Sequence, residues 1–457
     1  MKSPNKIFIK RRTFWVIILP VSVVTAVLLA MFLLKGGGSS RLDDYKRTLE
    51  QSGETLDIAK LAPVAPKENN PAEAFLAACK ELSTLASEKN FTPIAIPVPA
   101  DQSDQVPSLV ELPGPLVSKE ASTISWEAME AQNKELASLI EKLREISKAP
   151  ALEFHPDYSA GLDLNPDAMN ASLGAFRFIT TDGILALRSN NIDRVMEDIE
   201  ALLSFSRTQQ KQPLLVTQSL AVAMVMSAQD LTWQLIQAHS ASDTQLAQLQ
   251  AIWSKVDLTK NLPAVLRFER ALGAKNIEAS FSKLVGRGSA DTELAIIAHY
   301  QELIDAAEEA EKSGVWSSFL QKSAAIGDSM KDRPDTDLVA KTFRSLPDSF
   351  IAILQAQAHV NMTIAALGLE RFASSEIGHP TTLTDLVPEY LAIVPHDPFD
   401  NQELRYKASP SSGFLLYSIG INATDENGDA SPLTGVELGR RKDIVWPRPA
   451  PVEVQAQ

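Results

Sequence analysis

The chain of 457 residues has one cysteine, Cys79, and six histidines. A single cysteine excludes a disulfide framework and a cysteine-based zinc site. No two histidines form H-E-x-x-H or stand four apart, so the usual helical metal pair is missing. There is no G-x-S-x-G elbow, no G-x-x-x-x-G-K-[ST] loop and no G-x-G-x-x-G turn, which leaves acyl transfer and nucleotide binding without their motifs. Ser280-Phe281-Ser282-Lys283 matches S-x-x-K but has no K-T-G partner. The net charge of −14 lacks the basic surplus that phosphate backbones need, so nucleic acid is not an expected partner.

Acidic residues are absent from the first 40 positions, which carry Lys2, Lys6, Lys10, Arg11, Arg12 and Lys35. That segment is +6 and the remaining 417 residues are −20. The sign changes across an uncharged apolar run, Thr13 to Leu34, which as a helix spans roughly 33 Å, enough for a bilayer core. It exceeds a secretory h-region and lacks a small-x-small cleavage site, the alternative reading. Phe14 and Trp15 stand where interfacial aromatics belong. The positive-inside rule then predicts a basic cytoplasmic tail over 1–12, a single transmembrane helix over 13–34 and an extracytoplasmic bulk, anchored in the inner membrane. Gly36 to Ser40 reads as a flexible tether. Cys79, inside Ala74-Phe75-Leu76-Ala77-Ala78, reads as a small buried thiol.

Residues 35–120 read as tether and linker with short helices. One helix starts at Asn70-Pro71 and runs to about Lys89. Six prolines between Phe91 and Val117 exclude a long helix there. Residues 121–345 read as a body of antiparallel helical hairpins, with helices over 123–148, 167–189, 192–203, 242–256, 260–285, 290–312 and 315–331. In 192–203 an apolar stripe at Ile192, Val195, Met196, Ile199, Leu202 and Leu203 opposes Asp193, Arg194, Glu197, Asp198 and Glu200. Leu214 to Ala228 is apolar nearly all round. Its glutamines and serines favour a central buried helix over a second span. Asp182, among Phe178, Ile179, Ile184 and Leu185, reads as a half-buried acid paired with Arg177 or Arg188.

From about 348 the pattern changes. A long helix to Ser375 is followed by a short helical turn at Thr382–Val387. A turn-rich stretch leads to two strand-like runs, 404–407 and 414–419, that read as a β-hairpin. Asp443 to Pro447 reads as a last strand, and 449–457 as a disordered tail. The ordered set His379-Pro380-Thr381-Thr382, Leu386-Val387-Pro388, Asp397-Pro398-Phe399, Leu404-Arg405-Tyr406, Tyr417-Ser418-Ile419-Gly420, Asp425-Glu426-Asn427-Gly428-Asp429 and Asp443-Ile444 with Trp446 resembles the C-terminal region of the type II secretion major pseudopilin family. It covers about 100 residues. The resemblance implies a helix on a small antiparallel sheet over 346–448, with Ca²⁺ held by Asn422, Asp425, Asn427, Asp429 and Asp443. Alternating oxygen side chains and a turn glycine suit such a cation; the other reading of the loop is an acidic solvated turn. The prepilin cleavage pattern of that family is missing at Arg12-Thr13-Phe14. The overall layout is also similar to uncharacterised membrane-anchored proteins of planctomycete and verrucomicrobial type.

These features predict a mainly α protein: an N-terminal transmembrane helix, a helical-hairpin body and a small C-terminal α+β pseudopilin-like module. The expected role is binding or scaffolding at the cell envelope, with the membrane and other envelope proteins, such as secretion-system components, as partners and no catalytic residues. The alternatives are an envelope hydrolase with Asp182, Glu269 and an arginine in one pocket, and an atypical pseudopilin filament component.

Overall fold

The computed structural model describes residues 39–64, 70–91, 125–149, 152–154, 158, 166–281, 289–334, 336–375, 378–409, 413–431, 433 and 442–446. The basic tail, the apolar run at 13–34, the proline-rich stretch from 92 and the C-terminal tail lie outside them. The described chain is mainly helical with one small antiparallel sheet. Its helices are α1 (39–51), α2 (Ile58–Leu61), α3 (Ala72–Glu88), α4 (Trp126–Ser147), α5 (Pro166–Arg188), α6 (Ile192–Gln210), α7 (Leu215–Gln237), α8 (Asp243–Trp253), α9 (Leu262–Phe281), α10 (Ser289–Ser313), α11 (Ser317–Asp328), α12 (Leu338–Phe343) and α13 (Leu346–Ser375).

Their ends follow local chemistry. Asn191 accepts from the Arg194 N–H and opens α6, and Ser242 and Gln245 form a reciprocal capping box at α8. The α6 stripe is buried as its spacing predicts, with one correction. Asp198, expected on the polar face, is 0% exposed. It stands three residues after Val195 and four before Leu202, so it shares the stripe.

The all-round apolar segment is α7. It is buried along nearly its whole length and packs against α5, α6, α9 and α13. The apolar stretch Leu338–Ser375, which contains α13, is also long and apolar enough to cross a membrane, but 72% of its most apolar window is buried in protein. It lies on α7, α8, α11 and the sheet. Two helices apolar on every side thus form the centre of one continuous core, which reaches Leu416, Ile444 and Trp446 of the C-terminal segment.

The expected tether differs at its start, while the helix expected from Asn70-Pro71 and the buried Cys79 are found. Ser39 and Ser40, the first described residues, are already helical as part of α1 rather than a flexible link. Leu42 and Leu49 pack on Ala274 and Ile297, and Lys46 pairs with Glu293 at 2.6 Å. Helix α3 buries Phe75, Ala78, Cys79 and Leu82 in the main core, because its apolar residues recur at helical spacing.

In the C-terminal segment, β1 (Arg405–Ser409), β2 (Gly413–Ser418) and β3 (Ile444–Val445) pair antiparallel in that order. The register sets Arg405 opposite Tyr417, and Tyr417 opposite Val445. The turn before β1 docks on the corner between α10 and α11. Trp316 N–H donates to Pro398 O at 3.0 Å, and Asn401 Nδ2 to Ser313 O at 2.9 Å. Gly314, at φ +74°, lets Asn401 come so close that a Cβ would stand 2.6 Å from its Cγ.

Candidate functional site

Two sets of buried carboxylates concentrate the polar chemistry. In the C-terminal segment Asp397 is fully buried. It accepts from Phe399 N–H at 3.0 Å, Ile419 N–H at 2.8 Å and Ser418 Oγ at 2.9 Å. Burial raises its pKa, and those donors offset part of the rise. The Asp-Pro-Phe and Tyr-Ser-Ile-Gly motifs are therefore two halves of one hydrogen-bonded junction.

Asp443 works in the same way on the acidic loop. Its carboxylate accepts from Gly428 N–H at 2.7 Å and Asp429 N–H at 3.2 Å. Gly428, at φ +88°, supplies the turn that aims those groups inward. Burial pushes the Asp443 carboxyl up; the N–H donors lower it, and Glu426 and Asp425 add to the rise.

The other residues expected to bind calcium have protein partners. Asp425 accepts from Asn427 N–H at 2.8 Å and Tyr417 Oη at 3.0 Å, which hold its carboxyl below the usual range. Asn422 donates to Glu426 at 2.8 Å. Lys407 donates to Asn427 at 3.0 Å and Lys442 to Asp429 at 2.7 Å. The lysine depresses the Asp429 carboxyl to about 2. Two of the five expected ligands thus already hold an ammonium group. Glu426, not among the five, contributes Oε2, which is shut from solvent and has no hydrogen-bond partner. Among the described residues no three His, Cys, Asp or Glu side chains are gathered to hold a metal ion.

The second set lies in the helical body. Asp182 of α5 accepts from Asn133 at 2.6 Å, Arg144 at 3.0 Å and Arg194 at 2.6 Å. Its partners are not Arg177 or Arg188, the residues near it in sequence. They come from α4 and from the next helix, because packing brings those faces together. Arg144 is 1% exposed and also stands 2.9 Å from Asp198 through Nε. That contact is not aligned as a hydrogen bond, since Nε and both Asp198 oxygens lack a partner. Burial pushes Asp182 up, but the bonds from Arg194 and Asn133 outweigh it and the carboxyl lies below its ordinary range. Asp198 is held well above its range, first by burial and then by the Asp182 charge.

Glu269 is placed elsewhere. Its Oε1 accepts the Leu215 N–H at 2.7 Å and so caps α7. The run Arg267-Phe268-Glu269-Arg270 fastens three neighbours to α9. Arg267 and Arg270 both grip Glu54, at 3.0 and 2.7 Å, Phe268 packs on Tyr158, and Glu269 holds α7. Asp182 and Glu269 share no partner, so the trio expected of a hydrolase pocket is not assembled from them.

Comparison with protein families, curated proteins and solved structures finds no match for this chain.

Proposed function

We propose that this chain is a single-pass inner-membrane protein whose folded part acts outside the cytoplasm as a binding or scaffolding element of the cell envelope. The observation that carries the reading is the charge switch, +6 to −20, across the apolar run at 13–34. The start of the fold supports it. The first described residue of α1, Ser39, lies five residues after that run, and α1 with the Glu54 that follows it is held to α9 and α10 through Lys46, Arg267 and Arg270. A body fastened so near its anchor would present one fixed side to the bilayer.

The pseudopilin-like motif set places secretion or pilus-like components among the candidate partners. Calcium at the acidic loop belongs to the same proposal. Of the expected residues Asp425 and Asp443 would hold it, drawn together by the ion because they are not gathered without it, and the orphaned Glu426 Oε2 beside them offers a further oxygen. Asp429, neutralised by Lys442, fits poorly. Calcium would add a divalent charge that ties the loop together; a raised melting temperature of the full chain in millimolar Ca²⁺ is its readout.

Gln51, exposed at the end of α1, serves for the topology test. Cys79 is buried and its thiol is pushed up to about 12, so it is silent toward maleimides. Gln51→Cys should react with a membrane-impermeant maleimide in intact spheroplasts. Labelling only after lysis would end the extracytoplasmic reading. An N-terminus shortened by prepilin processing, seen by mass spectrometry, would favour a filament subunit instead.

A further inference from the structure

A cleft of about 230 Å³ lies where the C-terminal ends of α4 and α6 meet. Lys148, Arg207 and Lys211 line it, with Glu200 as the acid on its wall. Lys148 and Lys211 are the C-cap residues of the two helices, where cations complement the exposed carbonyl ends. Each also has a carboxylate: Glu145 at 2.8 Å and Glu153 at 3.0 Å. Their presence is therefore explained without a ligand.

Arg207 is not explained in that way. Its guanidinium makes no hydrogen bond or ion pair with any described residue, and Nη1 is closed off from solvent. An N–H donor closed from solvent and left unmet is costly, and the Nη1 of Arg207 is one. Burial lowers its pKa, and the charge of Glu200 offsets part of that.

The cleft's hydroxyls add a second requirement. Ser147 Oγ donates to Arg144 O at 2.6 Å, Ser204 Oγ to Ser147 O at 2.7 Å, and Thr208 Oγ1 to Ser204 O at 3.1 Å. All three hydrogens are committed to backbone carbonyls, so the hydroxyls can offer a ligand only acceptor lone pairs. The walls thus call for a molecule with a negative end for Arg207 and donor groups for the serine and threonine oxygens.

We infer that this cleft binds a small hydroxylated oxyanion, a carboxylate or phosphate carried on a polyol, with Arg207 as its main contact. The inference holds whichever side of a membrane the body occupies. Full-length protein in detergent would be titrated calorimetrically with glucuronate, glucose 6-phosphate, inorganic phosphate and uncharged glucose. Saturable binding of glucuronate or glucose 6-phosphate at about millimolar concentration or below is expected, with glucose not bound. A preference for glucuronate would name the carboxylate source, and one for glucose 6-phosphate the phosphate source.

Arg207→Gln should weaken binding by about tenfold or more, because a charge-assisted contact is lost. Its melting temperature without ligand should stay level or rise, since an unmet buried donor is removed; a merely structural arginine would lower it. Thr208→Val should weaken the polyol anions and leave inorganic phosphate unchanged. Absence of saturable binding by all the anions, unaltered affinity in Arg207→Gln, or inorganic phosphate binding as tightly as the polyol anions would overturn the inference.

Discussion

The helical body and the C-terminal segment both hold carboxylates out of water, and they stabilise them with different donors. Asp182 meets side chains from α4 and α6, two of them arginines. Asp397 and Asp443 meet mainly backbone N–H groups of turns. Past their first turn helices spend their own N–H groups internally, so a buried acid between helices has to find side chains unless, like Glu269, it meets a helix start. Turns leave N–H groups over, and one carboxylate can close two or three of them. The ion cluster therefore fixes how helices sit against each other. The aspartates of the C-terminal segment fix the path of a chain that has little regular structure.

Removing the Arg144 donor in one region and the Asp397 acceptor in the other is the most direct way to break this contrast. Arg144→Ala leaves Asp182 short of a partner and Asp198 without any facing cation on α4. A loss of about 3–5 kcal/mol is expected in a denaturant titration. Asp397→Ala orphans two N–H groups and a hydroxyl and should cost about 2–3 kcal/mol. If both variants lost equally little, the carboxylates would be spectators in both regions.

Acid separates the two members of the body's pair. Asp198 has a raised folded pKa, so its contribution is complete below its ordinary value of 3.8 and is lost as pH rises through the folded value. Asp182 is depressed, so its contribution is present above 3.8 and is lost as pH falls through the folded value. Stability from this pair should rise on acidification from neutral pH and fall again below about 3.8. Asp198→Asn should remove the rise and keep the fall, as followed by melting temperature against pH. The smallest effect is expected at the exposed pair of the acidic loop. Lys442→Gln should leave the melting temperature without calcium unchanged and should strengthen any calcium response, since Asp429 is freed.

The same contrast governs how much could be read in advance. The partners of Asp397 and Asp443 are short turns within the C-terminal segment, so its hairpin and last strand were legible from turn residues and alternating large side chains. Most helices of the body were also legible within a few residues, since Asn191 and Ser242 mark starts and apolar spacing marks faces; α6 and α7 run on to Gln210 and Gln237, beyond the segments read at 192–203 and 214–228, and the short α12 was missed. What packs on what was not. Arg144 lies 38 residues from Asp182, and a period of 3.6 says nothing about which helix will be adjacent. Asp198 was readable from its spacing to Val195 and Leu202, yet its charge suggested the solvent face. Glu426 gave a weaker signal as one more acid in an acidic run. Arg207 gave none, because only the packed structure shows that no described residue meets it.

The expected boundary at 346 also depends on packing. Both α7 and α13 are apolar on all sides, so neither shows from its sequence which neighbour covers it. Their burial against each other joins the expected body and module into one core.

The place of α13 has a consequence for synthesis. The chain leaves the ribosome N-terminus first, and α7 ends at Gln237 while α13 ends at Ser375. At about 5–20 residues per second, the slot beside α7 stays open for roughly 7 to 28 s before its filler is complete. During that interval a wide apolar surface faces whatever surrounds the growing chain. A holding chaperone, or a tightly timed export route, would be needed most in this window. A message truncated before α13 should yield an aggregate rather than a shorter working protein.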